Sequence, residues 1–237
     1  MYKESISEEE RMFEKVKYGK LNYIIDKNDY FEFTSKEEAI NWGIKYYQDW
    51  AVKYNKTMKA ADIILKNSMA TSPVEFYCGY AYNQTNSLLR FGYIDNFSSE
   101  ELKNRYNEMA NLLTVVLCSA PRIPCNIITY RLVCDDFVKL LIEKNRQEYP
   151  IPAQEKGFMS TSLLSDIINM EEHYALEKNL LKIYIPKDNV GIYVNAITNR
   201  PEQEILLPPN SFLGLIEYPY KDFVLNKIIY ECLYIEF

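Results

Sequence analysis

Residues 121–133 read PRIPCNIITYRLV, and the hydrophobic period changes inside them. Pro121 and Pro124 deny the segment a continuing helix, because proline has no N–H to donate and its ring clashes with the preceding turn. From Cys125 to Val133 the residues turn β-branched and aromatic, the composition of a strand. The segment divides the chain into a mainly helical half, 1–120, and a mainly β half, 121–237.

Working back from this divide, three helix starts are legible. Ser35-Lys36-Glu37-Glu38 is a capping box, in which serine and glutamate side chains satisfy N–H groups that the first turn leaves unpaired. Behind it Ala39, Trp42, Tyr46 and Trp50 recur near helical spacing. Ser72-Pro73-Val74-Glu75 is a second box with proline at the first helical position. It opens a segment carrying Phe76, Tyr77, Tyr80, Asn83 and Ser87. Ser98-Ser99-Glu100-Glu101 is a third, starting a helix with Leu102, Tyr106, Met109, Leu113 and Val116 on one face.

Working forward, extended segments fall near 157–162, 180–185, 191–196, 204–207, 212–218 and 227–237, with a turn at Asp188-Asn189. Successive strands with short connections and one helical interruption predict antiparallel pairing. With no linker and no repeat, the expected organisation is one α+β domain over 1–237.

Composition removes several function classes. The formal charge is -6 and no Lys/Arg run stands out, which argues against nucleic-acid binding. No apolar run reaches membrane-spanning length. The polar, acidic start, Met1 to Glu10, lacks the features of a signal peptide, so the expected protein is cytosolic, a mature form, or delivered by another route. The five cysteines are scattered and odd in number, which reads as reduced buried thiols. The seven glycines form neither GxGxxG nor a phosphate loop. His173 is the only histidine and sits in a polar stretch, so no histidine-based zinc site or Ser-His-Asp triad is supported.

Three short motifs in the β half carry chemistry. An arginine in an apolar strand, as in Tyr130-Arg131, needs an anionic partner. Either a local carboxylate or a bound phosphate or carboxylate would serve, met by the planar guanidinium fork. Gly157-Phe158-Met159-Ser160-Thr161-Ser162 places three hydroxyls in a row. They suit a strand edge, or the orientation of a carboxylate and a sugar or phosphate. Glu202-Gln203-Glu204 precedes Ile205-Leu206-Leu207. In an extended chain, residues i and i+2 face the same side, so the two carboxylates share one face. They form a solvated strand end, or a like-charged pair with one raised pKa, of the kind that holds a cationic transition state.

Together these motifs resemble the bacterial mono-ADP-ribosyltransferase toxins with an Arg, Ser-Thr-Ser, Glu-x-Glu signature. The chain is most similar to the enzymatic components of clostridial binary actin-modifying toxins. The resemblance covers about 72–237. It includes Tyr77, Tyr82, Asn86 and Leu89-Arg90, then Tyr130-Arg131 and Gly157-Phe158-x-Ser160-Thr161-Ser162. It continues through the strand 181–186, Lys187-Asp188 and Gly191-x-Tyr193 to Glu202-x-Glu204 with Leu206-Leu207.

The resemblance implies two antiparallel sheets packed at a steep angle, helices around them, and an NAD cleft between. NAD would be the substrate, with no metal. Glu204 would stabilise the ribose cation, Ser160 would fix its rotamer, and Arg131 would bind the diphosphate. Thr161 and Ser162 would shape the nicotinamide-side wall. Tyr77, Tyr82, Asn86, Arg90, Tyr130 and Tyr174 complete the implied NAD site. Glu202 would orient or deprotonate an acceptor guanidinium, pointing to a protein arginine, with actin the first candidate among host proteins. The expected setting is a secreted or delivered bacterial protein acting in the host cytosol. With water as acceptor, the same residues would make an NAD glycohydrolase. A non-catalytic binding module of the same fold is the other alternative, and the intact Arg131, Ser160 and Glu204 speak against it. Two departures matter. The loop after Ser-Thr-Ser offers Tyr174 and Lys178 where the family often has an aromatic and an arginine. Leu132 follows Arg131 where close relatives carry a second arginine. Binary-toxin enzymes are also longer, with a second copy of the fold that docks a translocation partner, and this chain has room for one copy.

Overall fold

Three serines start the helical half in the computed structural model, which describes residues 8–65, 72–94, 99–169 and 176–236. The first helix, α1, is Glu8–Tyr18. Ser35 Oγ accepts from Glu38 N at 3.2 Å to open α2, Lys36–Leu65. The box is displaced by one residue, because the Glu38 carboxylate accepts from Thr34 N at 2.9 Å instead of from Ser35 N. Ser72 caps α3, Pro73–Phe76, accepting from Glu75 N at 3.3 Å. A π-helical turn, Tyr77–Ala81, leads on into α4, Tyr82–Phe91. Ser99 caps α5, Glu100–Ser119, one residue later than the box predicts, and Ser98 lies outside the described residues.

The predicted helix faces are shifted slightly. On α2 the buried stripe is Ala39, Trp42, Tyr47, Ala51 and Tyr54, while Tyr46 and Trp50 are half-buried beside it. Trp42 and Tyr47 both pack on Tyr193, with ring centroids 6.4 Å apart in each pair. Gly43 permits this approach: a Cβ there would stand 2.1 Å from a Tyr193 ring carbon. Each such buried aromatic contributes about 1.5–3 kcal/mol by leaving water.

The β half contains β1 (Ile127–Val133), β2 (Ala153–Glu155), β3 (Met159–Ser162), β4 (Asn179–Ile185), β5 (Ile192–Tyr193), β6 (Glu204–Leu207), β7 (Ser211–Leu215), β8 (Tyr220–Asp222) and β9 (Lys227–Ile235). The interrupting helix is α6, Asp135–Asn145. The α+β class and the order of helices before strands are as expected. The two expected sheets are joined edge to edge, and one strand pair departs from the antiparallel rule. The strands hydrogen-bond along one path, β2-β7-β9-β4-β1-β3-β6-β5, with β8 on β9. Among the described pairs between these strands, all are antiparallel except β4–β9, which is parallel. The reason is positional: β9 lies between β7 and β4, and pairing antiparallel to β7 sets its direction against β4.

The path has a narrow seam. β1 pairs with β4 along its whole length, from Ile127–Ile185 to Val133–Asn179. With β3 it shares only Tyr130–Ser162. A main core packs α2 and α6 on the sheet through Trp42, Tyr47, Leu141, Ile183, Ile205 and Tyr234. A second joins the helical half to the far side of the seam through Val74, Tyr77, Leu113, Phe158, Ile192 and Leu206. All five cysteines are free, but only Cys78 and Cys232 are buried, so the expectation of buried thiols holds for those two alone.

Candidate active site

The seam opens into a cavity of about 860 Å³ between α4 and the strands. Tyr77, Tyr82, Asn86, Arg90, Arg131, Ser160, Glu202 and Glu204 all line it. Residues separated widely in sequence are thus brought to one place, and two backbone devices hold them there.

The first device is a clamp from α4 onto the segment before β3. Asn86 Oδ1 accepts from Phe158 N at 2.9 Å, and Asn86 Nδ2 donates to the Tyr77 hydroxyl at 2.9 Å. Arg90 donates twice to Glu155, at 2.8 and 2.9 Å. Glu155 also accepts from Gly157 N at 2.8 Å. Gly157 is required by closeness: a Cβ there would fall 2.7 Å from Asn86 Oδ1. The clamp positions Ser160 two residues further on.

The second device is the β3–β6 pairing, which sets Ser160 against Leu206 and Ser162 against Glu204. Ser160 Oγ donates to Glu204 Oε1 at 2.6 Å, and Arg131 Nη1 donates to the Ser160 carbonyl at 2.9 Å. Glu204 N donates to Asn195 Oδ1 at 3.1 Å. Glu204 is only 3 % exposed, and its second oxygen, Oε2, lacks a hydrogen-bond partner. Burial pushes the Glu204 carboxyl above the ordinary carboxylate range, while the Ser160 hydrogen bond and the charges of Arg200 and Arg131 pull it part of the way back. The Glu-x-Glu spacing predicts a raised value through repulsion by Glu202. The direction is right, but the cause is desolvation.

Glu202 precedes β6 on a bend and shares the cavity face with Glu204, while Gln203 points inward, accepts from the Tyr193 hydroxyl and is buried. Arg200 spans both carboxylates. Its Nε lies 3.5 Å from Glu204 Oε2, its Nη2 lies 3.9 Å from Glu202 Oε2, and its Nη1 donates to the Cys78 carbonyl at 2.9 Å. That carbonyl belongs to the π-helical turn, a feature frequent at functional sites.

Other predicted residues lie elsewhere. Tyr130 alternates away from Arg131 along β1, packs with Ile128, Leu132 and Tyr184, and donates to Glu32. Thr161 is buried and donates to the Ile205 carbonyl at 3.1 Å. Ser162 Oγ accepts from Leu164 N at 3.1 Å. None of these three lines the cavity. Tyr174 and His173 lie outside the described residues. Lys178, the predicted substitute cation, is not in the lining; Arg200, Lys156 and Glu155 line it and were missed by sequence reasoning, as was Asn195, which acts from outside the lining through its hydrogen bond from Glu204 N. Arg200 had a visible signal, standing four residues before Glu204 on the same loop.

Among the described residues no group of His, Cys, Asp and Glu is arranged to hold a metal, and no helix is long and apolar enough to cross a membrane. No curated protein sequence matches the chain. Solved structures do. The ADP-ribosylating toxin BECa of a Clostridium perfringens binary enterotoxin, solved with NADH, is similar at 21% identity and a TM-score of 0.67, over 87% of this chain and 50% of that one. The C3 exoenzyme of Clostridium limosum is similar at 19% identity and a TM-score of 0.58, over 87% of this chain and 98% of that one. The enzymatic component C2-I of the Clostridium botulinum C2 toxin is similar at 19% identity and a TM-score of 0.58, over 82% of this chain and 46% of that one. The chain therefore spans about half the length of BECa and C2-I and nearly all of the C3 exoenzyme. At these identities the likeness establishes the fold. The sequence model of the ADP-ribosyltransferase exoenzymes matches residues 39–217, most of the chain including every cavity residue named above. The chain belongs to the ADP-ribosyltransferase exoenzyme family.

Proposed function

We propose that this enzyme transfers ADP-ribose from NAD to an arginine of a host-cell protein, with actin the first candidate, and that 1–237 acts as one catalytic unit. The observation that carries the reading is the pair of carboxylates, Glu202 and Glu204, turned together into the cavity with a guanidinium resting against both. A face that accommodates Arg200 has the charge and spacing to receive an acceptor arginine.

The roles follow from position. NAD brings a cationic nicotinamide, a ribose and a diphosphate. Arg131 binds the diphosphate: among the described residues no carboxylate pairs with it, and its charge needs an anion. Breaking the bond between nicotinamide and ribose develops positive charge on the ribose. Glu204 stabilises that charge through Oε2, which completes no hydrogen bond, and Ser160 holds its rotamer through the other oxygen. Glu202 receives the proton that the acceptor guanidinium loses as its nitrogen bonds to the ribose. Tyr77 and Asn86 keep the wall in place, and Tyr82 contributes ring surface at the cavity. Thr161 and Ser162 act from behind, bracing β3 and the turn after it. Tyr130 anchors the reverse face of β1.

The setting is a delivered bacterial protein acting in the host cytosol. The test is incubation with labelled NAD and, in parallel, agmatine, purified actin and a host-cell lysate. The reading expects labelled agmatine and a labelled protein band whose adduct maps to arginine. Label on another residue type, or free ADP-ribose alone, would overturn it.

A further inference from the structure

Arg200 sits in the chain's own cavity as a guanidinium placed where an acceptor would have to be. The loop that carries it is stapled at both ends by one side chain. Asn195 Nδ2 donates to the Arg200 carbonyl at 2.8 Å, and Asn195 Oδ1 accepts from Glu204 N at 3.1 Å. Pro201 fixes the backbone immediately after it. The side chain is therefore presented by a braced loop and is 31% exposed toward the cavity.

Its bonding differs from that of Arg90. Arg90 is held by two short parallel hydrogen bonds to one carboxylate. Arg200 faces two carboxylates, but at 3.5 and 3.9 Å, and its buried Nε completes no hydrogen bond. Its one short contact holds Nη1 to a backbone carbonyl, which leaves Nη2 on the side of Glu202. A loosely paired nitrogen beside a carboxylate base, on the same face as the group that stabilises the ribose cation, is the arrangement a nucleophile needs.

We propose that Arg200 is an intramolecular acceptor: the enzyme transfers ADP-ribose from NAD to the Arg200 guanidinium and thereby closes its own cavity. This rests on the arginine-acceptor reading above. The bond from ribose C1′ to the nicotinamide nitrogen breaks, and nicotinamide leaves neutral with the electron pair. Nη2 of Arg200 bonds to C1′, and the proton it loses passes to the Glu202 carboxylate. NAD is the only co-reactant, and nothing is oxidised or reduced. The attached ADP-ribose then occupies the space that the next NAD requires, so modification ends turnover in that molecule. A free guanidine competes for the same attack and protects Arg200.

The test incubates the full chain with NAD, with and without agmatine, and follows intact mass, the peptide spanning 196–207 and residual transferase activity. The expected result is one ADP-ribosyl group per molecule on Arg200, arising at a rate independent of enzyme concentration. Activity falls in step, agmatine slows both changes, and Glu204→Gln acquires no group. Labelled agmatine with Arg200 left unmodified would overturn this proposal while the arginine-acceptor reading stands. Modification whose rate per molecule rises with enzyme concentration would also overturn it, because transfer would then occur between molecules. If neither agmatine nor Arg200 is modified, the arginine-acceptor reading falls and this proposal falls with it.

Discussion

Arg90 and Arg131 reach the same cavity, and the fold treats them in opposite ways. Arg90 meets a buried carboxylate on a parallel two-pronged contact, and that carboxylate also ties down Gly157. Arg131 meets a carbonyl and is matched by no carboxylate among the described residues. The same contrast separates the carboxylates. Glu155 is fully engaged, whereas Glu204 keeps one buried oxygen without a hydrogen bond. A satisfied pair in a wall stabilises the wall. An unsatisfied charge held rigidly beside a cavity is a site waiting for a charged or polar ligand, because leaving it so costs free energy that a ligand recovers.

The largest expected effect falls on the unsatisfied carboxylate. Glu204→Gln should lower both transfer and NAD hydrolysis on the order of 100- to 1000-fold, as removal of a transition-state charge does. Its melting temperature should hold or rise at neutral pH. The folded-state pKa of Glu204 lies above the unfolded value, so its ionisation removes stability as pH climbs from the ordinary carboxylate range through that raised value. Glutamine removes that cost. Near wild-type NAD turnover, measured by nicotinamide release, would break the contrast at its active end.

At the structural end, Glu155→Ala should cost about 3 kcal/mol by leaving Arg90 unpaired in a part-buried place. A thermal melt would read this as roughly 2–4 °C per kcal/mol. A lost NAD affinity with an unchanged melt would make Arg90–Glu155 a ligand site and erase the distinction. Arg131→Lys should do the converse. A point charge cannot copy the planar fork, so NAD should bind on the order of tenfold more weakly, the loss of one charge-assisted hydrogen bond. Calorimetric titration beside a melt decides which quantity moves.

The smallest effect concerns pH. Transfer requires ionised Glu204, so its acid limb should lie above the ordinary carboxylate range. Ser160→Ala removes a hydrogen bond that favours the ionised form, and the limb should move further up. A limb that stays put in pH–rate profiles of the two proteins would show that Ser160 does not tune Glu204.

Much of the site is legible in the sequence because the relevant signals are local. The Glu-x-Glu spacing puts two carboxylates on one face, whereas Tyr130, grouped with Arg131 at the NAD site by the resemblance, lies on the reverse face of β1. The capping serines announce three helices, to within a residue. What is not legible depends on pairing between distant segments. Nothing near Glu155 marks it as the partner of Arg90, and a parallel β4–β9 pair leaves no local pattern in either strand. Thr161 and Ser162 illustrate the limit within a motif: the hydroxyl run is visible, but the register sets Ser162 opposite Glu204 while the hydrogen bond to that carboxylate comes from Ser160, because Ser162 Oγ accepts from Leu164 N instead. Burial likewise decides the Glu204 pKa, and burial is a property of the assembled cavity.

Glu202→Gln tests the central claim most directly, because it asks whether two carboxylates on one face do two jobs. Glu204 serves a cation that forms whichever acceptor attacks, and Glu202 serves only an incoming guanidinium. Labelling of agmatine and release of nicotinamide should be measured on the same sample of the variant. The account predicts that labelling is lost while much of the slow NAD hydrolysis persists. Loss of both together would mean that the carboxylates act as one unit, and persistent labelling of arginine would mean that Glu202 takes no part in choosing the acceptor.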